Sequence, residues 1–154
     1  MFFFGLNGVG TKAVNALSEV FIVTSYREGK FVSATFNDGK LIDKSEGDTE
    51  EKNGTFIEFM PSTQMFPGFI FDPAFVEKRL WRYAYLNAGL KIYYDKKVFY
   101  SANGLLDLLD KELGGAQLYR PIYYRDATLE FSFSHTDTFS ACDYTFVNGT
   151  YTSE

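Results

Sequence analysis

The chain carries near its N-terminus the stretch GLNGVGTKAVNALS, at residues 5–18. Three glycines within six residues let the backbone turn tightly and approach a ligand closely. Behind them, apolar residues recur at helical spacing and Thr11 is a suitable N-cap, so the sequence predicts a short helix at 12–18. A glycine-rich turn that leads into a helix presents free N–H groups and the positive end of a dipole to an anion.

The spacing of these glycines leaves two interpretations open. It differs from the phosphate loop of the Walker A type, which needs Lys and Ser/Thr directly after its last glycine, and from the dinucleotide fingerprint, which follows a strand. From the residues alone, a turn that binds phosphate and an ordinary tight turn both remain possible.

The composition indicates one soluble core. Of the 154 residues, 45% are apolar and 23% charged, and an aromatic content of 19% favours a sheet-rich fold. The net charge of −5 argues against a self-sufficient nucleic-acid binder, because such a chain repels phosphate on average. The single cysteine, Cys142, cannot form an internal disulfide, which indicates an intracellular compartment, and we expect its thiol to pack as a small apolar group.

The order of patterned segments predicts an α+β fold built of antiparallel hairpins and helices. We expect a domain boundary near Gly114, after which only strands follow. The acidic residues 43–53 predict a solvated loop. The expected strands are 20–26, 31–36, 54–59, 90–94, 97–100, 121–124, 129–135 and 142–147, and the expected helices after the first are 72–87 and 105–109.

Candidates for catalysis and for metal binding are weak. His135 is the only histidine and has no Ser and Asp at a recognisable spacing. The sequence contains no Cys/His cluster typical of zinc, and no pair of carboxylates in an apolar setting. We therefore assign no catalytic and no metal-ligating residue.

Several separated motifs occur in the order found in one family. GLNGVG followed by VNALS at 5–18 resembles the glycine-rich box of the ATPase subunit of type IIA DNA topoisomerases, the B subunits of gyrase and of topoisomerase IV. In register with it, YREGK at 26–30 resembles the family's next hairpin turn and NGT at 53–55 its GT strand. The helix with KRL at 78–80 and LNAGL at 86–90 is similar to the family's helix and exit, and YTFVNG at 144–149 resembles a strand of the transducer domain. Asn7 and the VNG ending are most similar to topoisomerase IV.

The resemblance implies a GHKL (Bergerat) ATP-binding fold, with residues 1–113 as its C-terminal part and residues 114–154 as the first strands of the transducer domain. It implies that ATP and Mg²⁺ are cofactors of the full-length parent, in which ATP drives dimer closure and DNA strand passage. Thr55 would lie near the adenine, acting through its hydroxyl and a bridging water. The phosphates would contact the backbone of Gly5, Leu6, Asn7, Gly8, Val9 and Gly10.

The resemblance also implies partners: the rest of its own subunit, a second B subunit, the DNA-cleaving A subunit, and DNA through the full complex, in the bacterial cytoplasm and away from membranes. It begins at Gly5, whereas the family's general-base Glu, magnesium-holding Asn and adenine-reading Asp lie further N-terminal, and the phosphate-contacting Lys of the transducer lies beyond residue 154. We therefore expect an internal fragment that alone neither hydrolyses ATP nor binds it tightly. The alternative is a free-standing α+β interaction module without ATPase activity.

Overall fold

The computed structural model describes residues 9–139, 141–147 and 149–152. The chain divides into two compact units, Met1–Ile70 and Phe71–Glu154. Every strand pair among the described residues is antiparallel, and helices accompany the sheets, which confirms the α+β class. The boundary expected near Gly114 is a different division of the chain and stays a prediction.

In its described residues, 9–70, the first unit has one helix and one four-stranded sheet. The sheet order is β3-β2-β1-β4, so β3 and β4 are its edges. Two-residue turns, Glu28-Gly29 and Asp38-Gly39, join the first three strands, and all four turn residues have positive φ, as tight hairpins require. The elements are α1 (Val9–Ala16), β1 (Ser18–Arg27), β2 (Lys30–Asn37), β3 (Lys40–Asp48) and β4 (Gly54–Pro61).

The solvated loop expected at 43–53 is wrong for its first half. Residues 43–48 belong to β3, which pairs with β2 from Asn37↔Lys40 to Lys30↔Asp48. Every side chain of β3 is exposed. The backbone of an edge strand can complete its hydrogen bonds on one side while charged side chains stay in water, so an acidic composition does not prevent a strand here.

Helix α1 begins at Val9, which places Thr11 inside the helix, so the expected N-cap role of Thr11 is wrong. The C-terminal end of α1 is fixed to the sheet. The hydroxyl of Ser18 donates to the carbonyl of Val14 (2.6 Å), and the N–H of Ser62 donates to the carbonyl of Leu17 (2.9 Å). These bonds join the helix to the end of the sheet where β1 and β4 meet.

The described part of the second unit contains two helices and three two-stranded hairpins. The expected start of α2 is confirmed, because Asp72 caps it by accepting from the N–H of Ala74 (2.9 Å). The hairpin β5–β6 and the helix α3 are confirmed as well. The elements are α2 (Pro73–Leu86), β5 (Lys91–Tyr94), β6 (Lys97–Tyr100), α3 (Leu105–Leu113), β7 (Ile122–Arg125), β8 (Glu130–Phe133), β9 (Phe146–Val147) and β10 (Thr150–Tyr151).

The strand expected at 142–147 is wrong except for its last two residues. Only β9 pairs, with β10, and the N–H of Thr152 donates to the carbonyl of Thr145 (2.9 Å) to close this hairpin. Residues 141–145 lie outside any strand. Cys142 is consequently exposed, and the expectation that it packs as an apolar group is wrong.

The core of the second unit is aromatic. Phe99 is 2% exposed, with the ring of Trp81 edge-on at 5.2 Å, and Trp81 stacks on Tyr85 at 5.4 Å. Gly104 begins α3 with φ +63°, and a Cβ there would lie 3.1 Å from the carbonyl oxygen of Tyr85, so the position requires glycine. No helix in the described part of the chain has the length and apolarity to cross a bilayer.

Candidate functional site

The glycine-rich turn is described only at its C-terminal end. Gly5, Leu6, Asn7 and Gly8 lie outside the described residues, whereas Val9 and Gly10 form the first turn of α1. Both are exposed, and a Cβ at Gly10 would meet no atom within 4 Å. Among the described residues the start of α1 is thus exposed and has no acidic side chain in its first turn, which suits an anion electrostatically.

Thr55 lies on the edge strand β4, opposite Ser25 of β1. It is exposed, and its hydroxyl has no hydrogen-bond partner among the described residues. Because side chains alternate along a strand, Thr55 shares a face with the neighbouring pair Val23↔Ile57. The hydroxyls of Ser25 and Thr55 therefore lie beside the apolar pair Val23↔Ile57 on one face of the sheet. This arrangement suits a flat ring with a polar edge.

The start of α1 and Thr55 both belong to the first unit. Among the described residues, no hydrogen bond connects them. Thr55 lies six residues from Pro61 along β4, a separation of about 20 Å for an extended strand. The bonds that attach the end of α1 to the sheet lie at the Pro61 end. Thr55 therefore lies far along β4 from the strand end to which the C-terminal end of α1 is attached.

Among the described residues, two carboxyl groups have a lowered pKa, and both accept hydrogen bonds in turns of the second unit. Burial alone would raise the pKa of Asp107, but hydrogen bonds from the hydroxyl of Ser101 (2.6 Å) and from Asn103 lower it overall. The N–H groups of Thr128 and Leu129, each 2.7 Å from Oδ1 of Asp126, lower the pKa of Asp126 to about 2. Their hydrogen bonds are committed to local structure, which makes both poor general bases.

His135 has a structural partner. The hydroxyl of Tyr119 is hydrogen-bonded to its Nδ1, and the ring of Phe133 packs edge-on against it at 6.3 Å. Among the described residues, no group of three His, Cys, Asp or Glu side chains is placed to hold a metal ion.

Sequence reasoning did not single out the cationic face of α2. Lys78, Arg79 and Arg82 lie at positions i, i+1 and i+4 of this helix, so they share one side of it. The signal was present in the sequence, because Glu77 is the only acidic residue of α2.

Comparison with known proteins identifies relatives over nearly the whole chain. The chain is 46% identical over 151 residues to the B subunit of DNA topoisomerase 4 from Borreliella burgdorferi, a match that covers 97% of this chain and 25% of the relative. It is 32% identical over 159 residues to the B subunit of DNA gyrase from Thermus thermophilus, covering 94% of this chain and 25% of that protein. The chain thus spans about a quarter of the length of these relatives. No family model matches it.

Solved structures agree with these relatives. The 43K ATPase domain of Thermus thermophilus gyrase B, crystallised with an aminocoumarin, superposes with a TM-score of 0.82 at 31% identity, covering 94% of this chain and 44% of that one. The B subunit of the Myxococcus xanthus gyrase gives a TM-score of 0.76 at 16% identity and shows the shared fold. The chain therefore belongs to the family of type IIA DNA topoisomerase B subunits and corresponds to part of their ATPase region.

Proposed function

We propose that this chain forms part of the ATP-binding region of an ATP-dependent type IIA DNA topoisomerase, in which ATP binding and hydrolysis are coupled to DNA strand passage. The observation that carries the proposal is the 46% identity to a topoisomerase IV relative across 97% of the chain. The proposed partners are the remainder of its own subunit, a second B subunit, the DNA-cleaving A subunit and DNA, in the bacterial cytoplasm.

In this proposal the backbone of residues 5–10 contacts the nucleotide phosphates. Two properties of the described end support it: the helix N-terminus at Val9 and Gly10 is exposed, and no carboxylate of its first turn competes with an anion. The space around Gly10 is open, so a phosphate oxygen can approach its backbone N–H.

Thr55 is proposed to bind the adenine edge through its hydroxyl, directly or through one water. The hydroxyl is free among the described residues, and the apolar pair Val23↔Ile57 beside it offers a surface for the ring. A ring that packs on an apolar stripe and hydrogen-bonds at one edge gains both affinity and orientation.

Magnesium, when bound with ATP, neutralises phosphate charge and polarises the bond that is cleaved. The described residues offer no cluster of three ligating side chains, so we assign no residue of this chain to the ion. The carboxylates of Asp107 and Asp126, whose pKa is lowered, accept hydrogen bonds from groups of their own turns. We therefore propose that the 154-residue chain contributes binding groups and that the base and the metal ligands come from the rest of the subunit.

The proposal is tested by titrating the 154-residue chain with magnesium and a non-hydrolysable ATP analogue, followed by amide NMR shifts. We expect weak, millimolar binding that shifts the amides of Val9, Gly10 and Thr55. Gly10→Asp places a negative charge at the start of α1 and should weaken binding at least fivefold, whereas Gly10→Ala, which also fits the open space, should change it less than twofold.

Three outcomes would contradict parts of the proposal. If neither region shifts at millimolar nucleotide, the assignment of residues 5–10 and Thr55 is wrong. If the analogue binds with micromolar affinity, the chain holds a complete site. If the purified chain hydrolyses ATP, the base and the metal ligands lie within it.

A further inference from the structure

One side of α2 carries three positive charges, Lys78, Arg79 and Arg82. The acidic residue of this helix, Glu77, is paired elsewhere, with Nζ of Lys97 at 2.6 Å from its carboxylate. The ion pairs among the described residues join other side chains, so none of the three cations is neutralised by a salt bridge there. A local excess of positive charge thus stands on a chain whose net charge is −5.

The two arginines are held by aromatic rings instead of carboxylates. The guanidinium carbon of Arg82 lies 4.5 Å from the ring centre of Tyr151, and that of Arg79 lies 5.1 Å from the ring centre of Phe75. A guanidinium over a ring keeps its N–H groups available to acceptors. Neither guanidinium has a hydrogen-bond acceptor of its own among the described residues.

A cleft of about 70 Å³ lies between α2 and the hairpin β9–β10. It has room for roughly two waters, which suits a phosphate group and excludes a nucleoside. The space beside Gly149 is open, with no atom within 4 Å of the position that a Cβ would take. The cleft is lined by Arg79, Arg82, Tyr83, Leu86, Phe146, Gly149, Thr150 and Tyr151.

A carboxylate is connected to this aromatic cluster. Glu112 accepts a hydrogen bond from the hydroxyl of Tyr144 (3.1 Å), and the ring of Tyr144 packs 6.1 Å from that of Tyr151. The partner of the Glu112 carboxylate is thus the phenol of Tyr144. Cys142, burial and Glu112 together raise the pKa of this phenol to about 12, and its hydroxyl is protonated at neutral pH.

We propose that Lys78, Arg79 and Arg82 bind phosphates of the duplex DNA backbone, with one phosphate seated in the cleft. The inference rests on the proposed function, since it gives this chain a direct contact to the topoisomerase's DNA. Guanidinium groups with no acceptor of their own suit phosphate oxygens, the groups through which proteins position themselves on duplex DNA. The contact is local, weak at physiological salt, and independent of base sequence.

The test measures binding of a fluorescently labelled 20-base-pair duplex to the 154-residue chain by anisotropy at several salt concentrations. Each neutralised phosphate contributes a slope of about −0.9 to the logarithmic salt dependence. We expect the double variant Arg79→Gln/Arg82→Gln to bind at least tenfold more weakly at low salt, with a slope smaller in magnitude by about 2. Arg79→Lys/Arg82→Lys keeps the charge and should keep most of the slope.

The matched control is Arg27→Gln/Lys30→Gln, which removes two charges at the hairpin turn of the first unit and should weaken binding less than threefold. Unchanged fluorescence of Trp81, which lies on α2, verifies that each α2 variant is folded. The proposal is overturned if the wild-type chain does not bind the duplex at low salt, or if the control loses as much affinity as the α2 variant.

A competition with inorganic phosphate distinguishes a site for DNA phosphates from a site for free phosphate. We expect duplex to bind at least a hundredfold more tightly, because several phosphates bind together. If inorganic phosphate shifts the Nε–Hε signals of Arg79 and Arg82 at concentrations equal to those needed for duplex, the face is a small-anion site and the DNA assignment is wrong. If the ATP analogue does not shift the amide signals of Val9 and Thr55, that result contradicts the proposed function alone.

Discussion

The sheet of the first unit and the helices and hairpins of the second bury different numbers of apolar side chains. Among the described residues, Phe21 is the buried apolar side chain of the first unit, whereas Ala84, Tyr85, Phe99 and Leu108 are buried in the second. On the edge strand β4, Phe56 and Phe59 are 49% and 43% exposed, although they lie on opposite faces of the strand. The first unit therefore depends more on its backbone ladder of hydrogen bonds, and the second more on side-chain packing.

The carboxylates differ in the same way. Those of β3 point into solvent and pair at most loosely, as Glu46 does with Lys44 at 3.6 Å. In the second unit, Asp72, Asp107 and Asp126 each accept backbone N–H groups and fix the start of a helix or a turn. Acidic side chains thus lie exposed on an edge strand in the first unit, whereas in the second unit they fix helix starts and turns.

The largest effect is expected at Phe99. Phe99→Ala removes a fully buried ring and leaves a cavity beside Trp81, so we expect the free energy of unfolding of the second unit to fall by about 3–5 kcal/mol. Trp81 is the only tryptophan of the chain, so urea unfolding followed by its fluorescence reports on this unit.

The matched variant is Phe56→Ala on β4, where the ring is half exposed. We expect it to cost about 1 kcal/mol or less, measured by amide hydrogen exchange of β1. If the two variants cost the same in their own units, the contrast between a ladder-dependent and a packing-dependent unit is wrong.

Most of the fold could be predicted from local patterns. The strands expected at 20–26 and 31–36 match β1 and β2, and the helix expected at 72–87 matches α2. The prediction failed where long-range pairing decides: β3 is a strand only because β2 offers it a partner. Conversely, residues 142–145 have a strand-like composition but join no strand ladder in the described part of the chain.

The candidate site could be predicted only in part. The glycine spacing and the resemblance named residues 5–10 and Thr55, but no local pattern could tell how far Thr55 lies from the end of α1, since that depends on the register of β4 against β1. The stacking of Arg82 on Tyr151 joins residues 69 positions apart, so only the folded chain reveals it.

A smaller effect is expected at Asp107. Asp107→Ala leaves the hydroxyl of Ser101 and the N–H of Asn103 without their acceptor, and we expect a loss of about 1–2 kcal/mol at neutral pH, followed by Trp81 fluorescence in urea. The comparison variant Asp43→Ala, on exposed β3, should change stability by less than about 0.5 kcal/mol. Equal losses would mean that carboxylates play the same part in both units.

The smallest effect is expected at Asp126, and it depends on pH. Since the pKa of this carboxyl is lowered to about 2 in the folded chain, against about 3.9 for an ordinary Asp, its ionised form stabilises the folded state above pH 4. That contribution is lost as the pH falls from about 4 to about 2. Asp126→Asn keeps an acceptor oxygen for the N–H groups of Thr128 and Leu129, so the turn should form, while the loss of stability across this pH range should be shallower than in the wild type. Thermal unfolding between pH 2 and 6 measures the difference, with Asp43→Asn as the control. An NMR titration that placed the pKa of Asp126 near 4 would show that these hydrogen bonds do not favour the ionised form.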